Sequence, residues 1–492
     1  MRSNFGSLLL AFVFGTHGFV HAQDPANLPG VSREWTSAGG KVITAEYLGV
    51  KGTDVMLRLS GGKVVGVPLS KLSVTDNAYV RENPRAFLLP WNGWPVDAAA
   101  PISTVAVSET KAESGDYVYE TPHFRFHVDG NLGTPLMKEL ARVFELTYSL
   151  QSNAPFGLLA KPEKDRFEAR LFGKTATYQS EGGPNGSAGV YLPRKKVFLA
   201  PLDLMGVRSD GTVWRRLSGS DYDTTTIVHE LTHMFTHELL DKLPTWMNEG
   251  YAEFISNIPI EGNSFRVSPE KIREGVLDSL VPNHKRTDSG VTRVVPITPS
   301  ERKKFFESGK LPKFCKVADV LAITDAKWAA SGTTTMASFA GVYDYSPREA
   351  LYRTSHLILY YFIQIEGAKG VEKLRALLEE NRAKMAGIEA YMRARDEYER
   401  KMEEFFKLPG VTRLDGGRFR YPPNLKPPVA PESPDVDPEK IQLSGLVMLL
   451  DGMTVEDMGK KIETALINDL GIKIDFGREI SSTSSPFGTR IH

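Results

Sequence analysis

The chain has 492 residues, of which 41% are hydrophobic, so it is long enough to form two or three domains with buried cores. Its 60 basic and 60 acidic residues give a formal net charge of zero, and this balance argues against nucleic acid or an anionic membrane surface as a partner. Cys315 is the single cysteine, which excludes an intrachain disulfide.

Residues 1–22 have the pattern of a secretory signal peptide. Arg2 precedes an apolar run over residues 8–14, and small residues precede a cleavage point before Gln23. The run is too short and too interrupted to span a bilayer, and no other apolar run is long enough. We therefore expect export to the periplasm or the extracellular space, with no transmembrane segment in the mature chain. An exported chain without disulfides is more typical of a bacterium than of a eukaryotic secretory route.

Residues 30–85 predict a small all-β module. Short β-type runs at 42–48, 55–59 and 63–67 are separated by glycine-containing turns, as in an antiparallel meander. This stretch resembles the Sla-one-homology, SH3-like module of exported bacterial proteins. The resemblance implies a small barrel that binds a protein or peptide partner, and a passive appended module is the alternative.

The next part of the chain predicts a linker followed by alternating strands and helices. Residues 86–115 are rich in Pro, Ala, Ser and Thr, which indicates a linker. Residues 124–128 alternate like a strand, apolar positions from 136 to 148 have helical spacing, and 166–172 read as a second strand. A glycine-rich loop over 181–191 then enters a further strand.

Residues 229–233 read His-Glu-Leu-Thr-His within a predicted helix of about 224–241. Positions i and i+4 of a helix lie on one face, so His229 and His233 can hold one zinc ion between them. Glu230 lies beside that pair, where a carboxylate can take a proton from a zinc-bound water. The pattern therefore predicts a catalytic metal site on this helix.

This motif, followed by Trp-Met-Asn-Glu-Gly-Tyr-Ala at 246–252, resembles the gluzincin metallopeptidases. The similarity is closest to the aminopeptidase N and thermolysin branches and to the exported bacterial peptidase MA-like proteins, and it covers roughly residues 117–410. It implies that Glu249 is the third ligand of one Zn²⁺ ion and that Glu230 is the general base in peptide-bond hydrolysis.

Two neighbouring residues compete for roles at this site. Glu253 lies one turn after Glu249, so it is an alternative ligand, but we expect it to accept a hydrogen bond from His229 and orient that ring. A solvated helix carboxylate is the remaining alternative for Glu253. His237 continues the i+4 series, yet three histidines in line along one helix cannot all reach one ion, so we expect it to be structural or exposed.

Residues 347–366 predict a long helix with Tyr352 and His356 one turn apart. The resemblance implies that Tyr352 donates to the developing oxyanion, as a tyrosine does in aminopeptidase N, although the Lys-Gly that usually follows is missing here. His356 is the alternative donor, as in the thermolysin branch, and packing roles for both are the third possibility.

The strand containing Gly189, Val190 and Tyr191 precedes the predicted helix at 224–241 that carries His229 and His233, named here the metal helix. The resemblance implies that this edge strand pairs with an extended substrate, and an ordinary surface hairpin is the alternative. The strand lacks the acidic residue with which aminopeptidases bind a free amine, which favours an endopeptidase.

The predicted fold class is α+β. A gluzincin catalytic domain over 116–411, with a small mixed sheet and a helical subdomain, follows the SH3-like barrel. Residues 412–438 predict a Pro-rich linker, and 439–492 a C-terminal tail with a short helix at 455–470 and no assigned function. The predicted function is that of an exported zinc metallopeptidase. The alternatives are an envelope binding or scaffold protein with a weakly active or inactive metallopeptidase-like domain, or an amidase acting on cell-wall peptide.

Overall fold

The computed structural model describes residues 31–82, 91, 93–94, 104–112 and 116–480. Within these ranges it leaves out residues 52, 159, 163, 186, 204, 212, 217–223, 240–241, 282–283, 289–290, 296, 333–336, 340–341, 414–418, 424 and 433–437. The predicted signal peptide and most of the predicted linker at 86–115 therefore lie outside the described residues.

The N-terminal module is a four-stranded antiparallel sheet whose strands pair in chain order. A helix follows the sheet, and both pack around a cluster that includes Trp35 and Leu57, separate from the main core. The small all-β antiparallel unit predicted for this region is confirmed. Its elements are β1 (Val31–Thr36), β2 (Val42–Lys51), β3 (Asp54–Leu59), β4 (Val64–Pro68) and α1 (Val74–Glu82).

The second sheet has six strands in the order β5-β6-β7-β8-β10-β9, and β9 is an edge strand. Strand β8 runs parallel to both β7 and β10, and the other pairs are antiparallel, so the sheet is mixed. Alternate residues of β7 are buried, and a long amphipathic helix packs into the same core. The elements are β5 (Ser108–Lys111), β6 (Tyr117–Glu120), β7 (Phe124–Val128), α2 (Gly133–Gln151), β8 (Phe167–Phe172), α3 (Thr175–Ser180), β9 (Val190–Leu192) and β10 (Val197–Pro201).

The chain after the mixed sheet is mainly helical, which confirms the predicted α+β class. Short hairpins interrupt it: β11 (Val207–Ser209) with β12 (Trp214–Arg216), β13 (Ile260–Glu261) with β14 (Ser264–Phe265), β15 (His284–Asp288) with β16 (Val291–Val295), β17 (Ala337–Phe339) with β18 (Val342–Asp344), and β19 (Thr412–Arg413) with β20 (Phe419–Arg420). The helices are α4 (Thr224–Phe235), α5 (Thr245–Ser256), α6 (Pro269–Ser279), α7 (Pro299–Glu307), α8 (Val317–Leu321), α9 (Asp325–Ala330), α10 (Pro347–Tyr360), which continues as a π-helical turn at Tyr361–Ile365, and α11 (Ala368–Phe406). Across the described part of the chain, no helix has both the length and the apolar character that crossing a membrane requires.

Helices α5 and α10 pack unusually close together at Gly250. A Cβ atom on Gly250 would lie 2.7 Å from the carbonyl oxygen of Ser355, which is too close for any other residue without a shift of the backbone. The position of glycine in the Asn-Glu-Gly motif therefore has a steric explanation, since the missing side chain lets α10 approach the helix that carries Glu249.

The C-terminal helices differ from the tail that the sequence predicts. Helices α12 (Pro438–Ser444), α13 (Val447–Leu450) and α14 (Val455–Leu470) follow the proline-rich stretch. Ile462 and Leu466 of α14 are fully buried in the same core as α4, the helix that carries His229 and His233. Arg273 donates hydrogen bonds to the carbonyls of Asp469 and Leu470. Residues 438–480 are therefore part of the same packed body as the helical subdomain.

Candidate metal and active site

Three side chains converge where α4 meets α5. His229 Nε2 lies 3.2 Å from Glu249 Oε2 and 3.2 Å from His233 Nε2, and His233 Nε2 lies 3.4 Å from the same carboxylate oxygen. One ligand atom from each residue lies within 4.8 Å of the others, and no other group of three such residues does so in the described part of the chain. Two imidazole nitrogens and one carboxylate oxygen are the donor set of a catalytic zinc site, so these residues fit the predicted ion.

Helix α4 presents the two histidines at the edge of its buried face. Ile227, Leu231 and Phe235 are at most 1% exposed and pack into the core. The side chains of His229 and His233 are 13% and 12% exposed, so they lie where the core borders the site. The helical periodicity of this segment thus accounts for where both predicted ligands point.

The carboxylates and the histidines of the site each stabilise the charged form of the other. Burial opposes ionisation of Glu249, but the nearby His233 and His229 outweigh it and hold the pKa of this carboxyl well below its usual value. Burial likewise opposes protonation of His229, while Glu249 and Glu253 outweigh it and raise its pKa. Glu249 is therefore an anionic donor over the whole physiological pH range.

Glu253 contacts the opposite side of the His229 ring from Glu249. Its Oε1 lies 3.3 Å from His229 Nδ1, and its Oε2 accepts a hydrogen bond from Arg353 at 3.2 Å. Burial opposes ionisation of Glu253, but Arg353 and His229 lower its pKa to about 2. The contact predicted between Glu253 and His229 is present, and the orienting role stays a prediction.

Two residues behind Glu253, Arg353 and Glu349, are not indicated by the sequence alone. Arg353 Nε donates to Glu349 Oε1 at 2.7 Å, one turn earlier on α10. The signal was present as a carboxylate and an arginine at i and i+4 of a predicted helix. Such pairs are more often found on solvated surfaces, so the spacing alone did not indicate a role at the site.

Glu230 connects the metal helix to the edge strand. Its Oε2 accepts a hydrogen bond from the backbone N–H of Tyr191 at 2.9 Å. Glu230 adjoins His229 in the chain, so this contact places the residue predicted as general base between the cluster of three ligands and β9.

The predicted substrate strand lies at this sheet edge, and its outer N–H groups have partners within the chain. Tyr191 is opposite Phe198 of β10, and its N–H points away from β10 toward Glu230. The N–H of Gly189 also has a partner, since it donates to Ser187 Oγ at 3.2 Å. Val190 packs on the small cluster beneath α3. A peptide pairing with this strand would therefore use carbonyl groups or displace these contacts.

His237 lies outside the cluster of three predicted ligands. It follows α4 in a 3-10 turn, His237–Leu239, and its Nδ1 is 3.0 Å from the hydroxyl oxygen of Tyr191. Helix α4 ends at Phe235, earlier than predicted, and the tighter turn directs His237 toward the edge strand. His237 was predicted to be structural or exposed, and this contact favours the structural alternative.

Tyr352 and His356 have different surroundings. The Tyr352 ring lies 6.2 Å from the His229 ring and 5.4 Å from Trp328. Burial and the charges of Glu249 and Glu253 raise the pKa of its hydroxyl, which is therefore protonated at neutral pH.

His356 is fully buried, with Nδ1 3.4 Å from Ser279 Oγ on α6, and its Nε2 has no hydrogen-bond partner in the described part of the chain. Burial, aided by the charge of Arg353 and opposed by that of Glu253, lowers its pKa to about 4. Of the two predicted oxyanion donors, the structure brings Tyr352 beside the ligands and sets His356 in the core.

Comparison with known proteins finds one family. The model of SLA1 homology domain 1 matches residues 23–86, which include the four-stranded sheet and α1. No curated protein and no solved structure matches the chain. The N-terminal module is thus similar to SLA1 homology domain 1, in agreement with the resemblance seen in its sequence.

Proposed function

We propose that this protein is an exported zinc-dependent peptidase that hydrolyses internal peptide bonds. The observation that carries the proposal is the convergence of His229, His233 and Glu249, with ligand atoms within 4.8 Å of one another, beside Glu230 on the same helix. Few structural roles need two imidazoles, two carboxylates and an adjoining edge strand in one place.

The chain's own residues divide the chemistry between them. His229, His233 and Glu249 would hold the ion, which when bound acidifies a water molecule and polarises a substrate carbonyl. Glu230 accepts the proton of the attacking water and delivers it to the leaving amine. The Tyr191 N–H orients the Glu230 carboxylate for this transfer.

Substrate recognition follows from the edge strand and from Tyr352. An extended peptide beside β9 would lie along the metal helix and gain affinity from backbone hydrogen bonds. The Tyr352 hydroxyl, kept protonated by burial and by the carboxylates near it, donates to the negative charge that develops on the scissile carbonyl oxygen. Residues 186–191 carry no carboxylate to bind a free amine, which supports an endopeptidase.

Metal content and a single substitution test this proposal. We expect the purified full chain to contain one zinc ion and to cleave a denatured-protein mixture, and Glu230→Gln to retain the metal but lose roughly 10²–10⁴-fold in rate. Glu307→Gln, which changes an exposed carboxylate on α7, is the matched control and should behave like wild type. A zinc-free protein, or equal cleavage by Glu230→Gln, contradicts the proposal.

A second candidate function is protein binding through the N-terminal module. SLA1 homology domain 1 is a protein-interaction module, so the match at 23–86 supports a protein or peptide partner for this part of the chain. A wild-type chain that binds zinc but cleaves neither denatured protein nor cell-wall peptide would favour a binding or scaffold role. Cleavage of cell-wall peptide alone would favour the amidase alternative.

A further inference from the structure

A chain of alternating charges runs away from the metal site behind His229. Glu253 divides its two oxygens between His229 Nδ1, at 3.3 Å, and the Arg353 guanidinium, at 3.2 Å. Arg353 in turn donates through Nε to Glu349 at 2.7 Å. The side chains of Glu253, Arg353 and Glu349 retain 16%, 20% and 15% of their exposure. Because water reaches them poorly, each group depends on its protein partners for orientation.

The helices determine this arrangement. Glu349 and Arg353 lie one turn apart on α10, and Glu253 is on α5, which α10 approaches closely at Gly250. A guanidinium is planar and its N–H groups point in fixed directions, so an arginine that binds two carboxylates holds both at set positions. Asn257 Nδ2, at 3.4 Å, is a weaker donor to Glu253 Oε2, the oxygen that Arg353 also contacts.

The position of Glu253 matters because of what His229 must do. A carboxylate that accepts the Nδ1 proton of a histidine leaves the Nε2 lone pair for a metal and restricts rotation of the ring. His229 Nε2 is the atom that faces Glu249 and His233. Any loosening of Glu253 is therefore transmitted directly to a ligand atom.

We propose that Arg353, anchored by Glu349, is a positioning residue for the metal site, acting through Glu253 to hold the ring and tautomer of His229. This inference rests on the proposed zinc site. Arg353 contacts neither a ligand nor the substrate strand, so its effect should be seen first in metal affinity and only then in catalysis.

The first test is zinc affinity measured by competition with a chromophoric chelator. We expect Arg353→Met to weaken zinc binding roughly 10–100-fold, as loss of an outer partner of a ligating histidine generally does. Arg353→Lys keeps the charge but cannot bind both carboxylates with a rigid fork, so its affinity should lie between those of wild type and Arg353→Met. Arg375→Met is the matched control: this half-buried arginine of α11 donates to the Pro155 carbonyl, and its loss should leave zinc affinity unchanged.

A double-mutant cycle separates positioning from general loss of stability. If Arg353 acts through Glu253, Arg353→Met should weaken zinc binding by less than about twofold in a Glu253→Gln background, because the intermediate partner is already gone. Additive effects in the cycle, or an unchanged zinc affinity in Arg353→Met, would overturn the inference.

A variant that fails to fold, and a wild-type chain that fails to bind zinc, have distinct consequences for the inference. If circular dichroism shows that Arg353→Met does not fold, Glu349→Gln replaces it, since that change removes only the outer anchor of Arg353; weaker zinc binding supports the inference and unchanged binding overturns it. If the wild-type chain and Arg353→Met bind zinc equally well, this inference is overturned and the proposed function is not. A wild-type chain without zinc affinity overturns both this inference and the proposed function.

Discussion

Tyr352 and His356 lie one helical turn apart on α10, yet they face different environments. Tyr352 lies beside the ring of His229, near the carboxylates of the site. His356 lies in the core against Ser279 and 6.4 Å from the ring of Phe254. At the scale of single residues, burial and neighbouring charge therefore assign these two side chains different chemistry.

Substitution of Tyr352 tests its role as oxyanion donor. We expect Tyr352→Phe to lower kcat by roughly 10²–10³-fold, because one hydrogen bond to the developing charge is lost. His356→Gln should stay within about threefold of wild type. Steady-state kinetics on an internally quenched peptide measure both effects, and a larger loss in His356→Gln than in Tyr352→Phe would reverse the assignment.

Buried His356 also makes a prediction about pH. Its pKa falls from an ordinary 6.5 to about 4 on folding, so the unfolded chain binds more protons between these values. Stability is therefore full above about pH 6.5 and is lost as the pH falls toward 4, by at most about 1.4 kcal/mol per pH unit.

The measurement is urea unfolding between pH 7 and pH 4, with a chelator present so that metal release makes no contribution. His356→Gln should show a shallower decrease in the free energy of unfolding than wild type, since glutamine takes up no proton. Equal slopes for the two proteins would contradict this prediction.

At the scale of elements, the contact between α5 and α10 brings the site together. Helix α5 carries Glu249 and Glu253, and α10 carries Tyr352 and Arg353. The two helices approach at Gly250, where a Cβ would meet the Ser355 backbone. A small widening of this contact would separate all four side chains at once.

Gly250→Ala tests this contact. We expect a loss of about 1–3 kcal/mol in the free energy of unfolding, since backbone atoms must move to admit a methyl group, together with weaker zinc binding. Gly61→Ala, where a Cβ meets no atom within 4 Å, is the control. Urea titration followed by tryptophan fluorescence gives the comparison, and similar values for the two variants would argue against a special role for Gly250.

A second contact between elements joins the edge strand to the metal helix. Tyr191 uses its backbone N–H to bind Glu230 and its hydroxyl to contact His237, so β9 is attached at two points along the metal-helix segment. The strand and the residue proposed as general base consequently move together, which suits a site where peptide and base must be aligned.

At the scale of the whole molecule, the C-terminal segment completes the core. Helix α14 buries Met458, Ile462, Leu466 and Leu470. The strand-like segment after it exchanges backbone hydrogen bonds with Phe314 at Asp475 and Arg478. The C-terminal helices therefore contribute to the stability of the domain that carries the site.

Truncating a buried side chain of α14 tests this conclusion. Ile462→Ala should lower the free energy of unfolding by roughly 2–5 kcal/mol, because a fully buried apolar side chain leaves a cavity. Val447→Ala on α13, where the side chain is 60% exposed, should have little effect. Thermal and urea unfolding of both variants distinguish a packed helix from a loosely attached tail, for which the two substitutions would be equivalent.

Much of the local structure could be predicted because it depends on periodicity. The alternation at 124–128, the helical spacing from 136 to 148 and the helix at 455–470 all correspond to observed elements. Periodicity does not indicate what an apolar face packs against, so the same pattern in α14 suited a peripheral helix as well as a core helix. The end of α4 was missed for a related reason, since helix ends depend on contacts made by the turn.

The sequence by itself determined that His229 and His233 lie on one helix face, because i and i+4 spacing is local geometry, whereas the resemblance to the gluzincins implied Glu249 as their partner. The tertiary structure alone decided that Arg353 and Tyr191 contact the carboxylates beside that cluster. Glu253 and Arg353 are 100 residues apart in the chain, and Glu230 and Tyr191 are 39 apart. Such contacts exist only once α5, α10 and β9 have packed together, and no spacing along the chain encodes them.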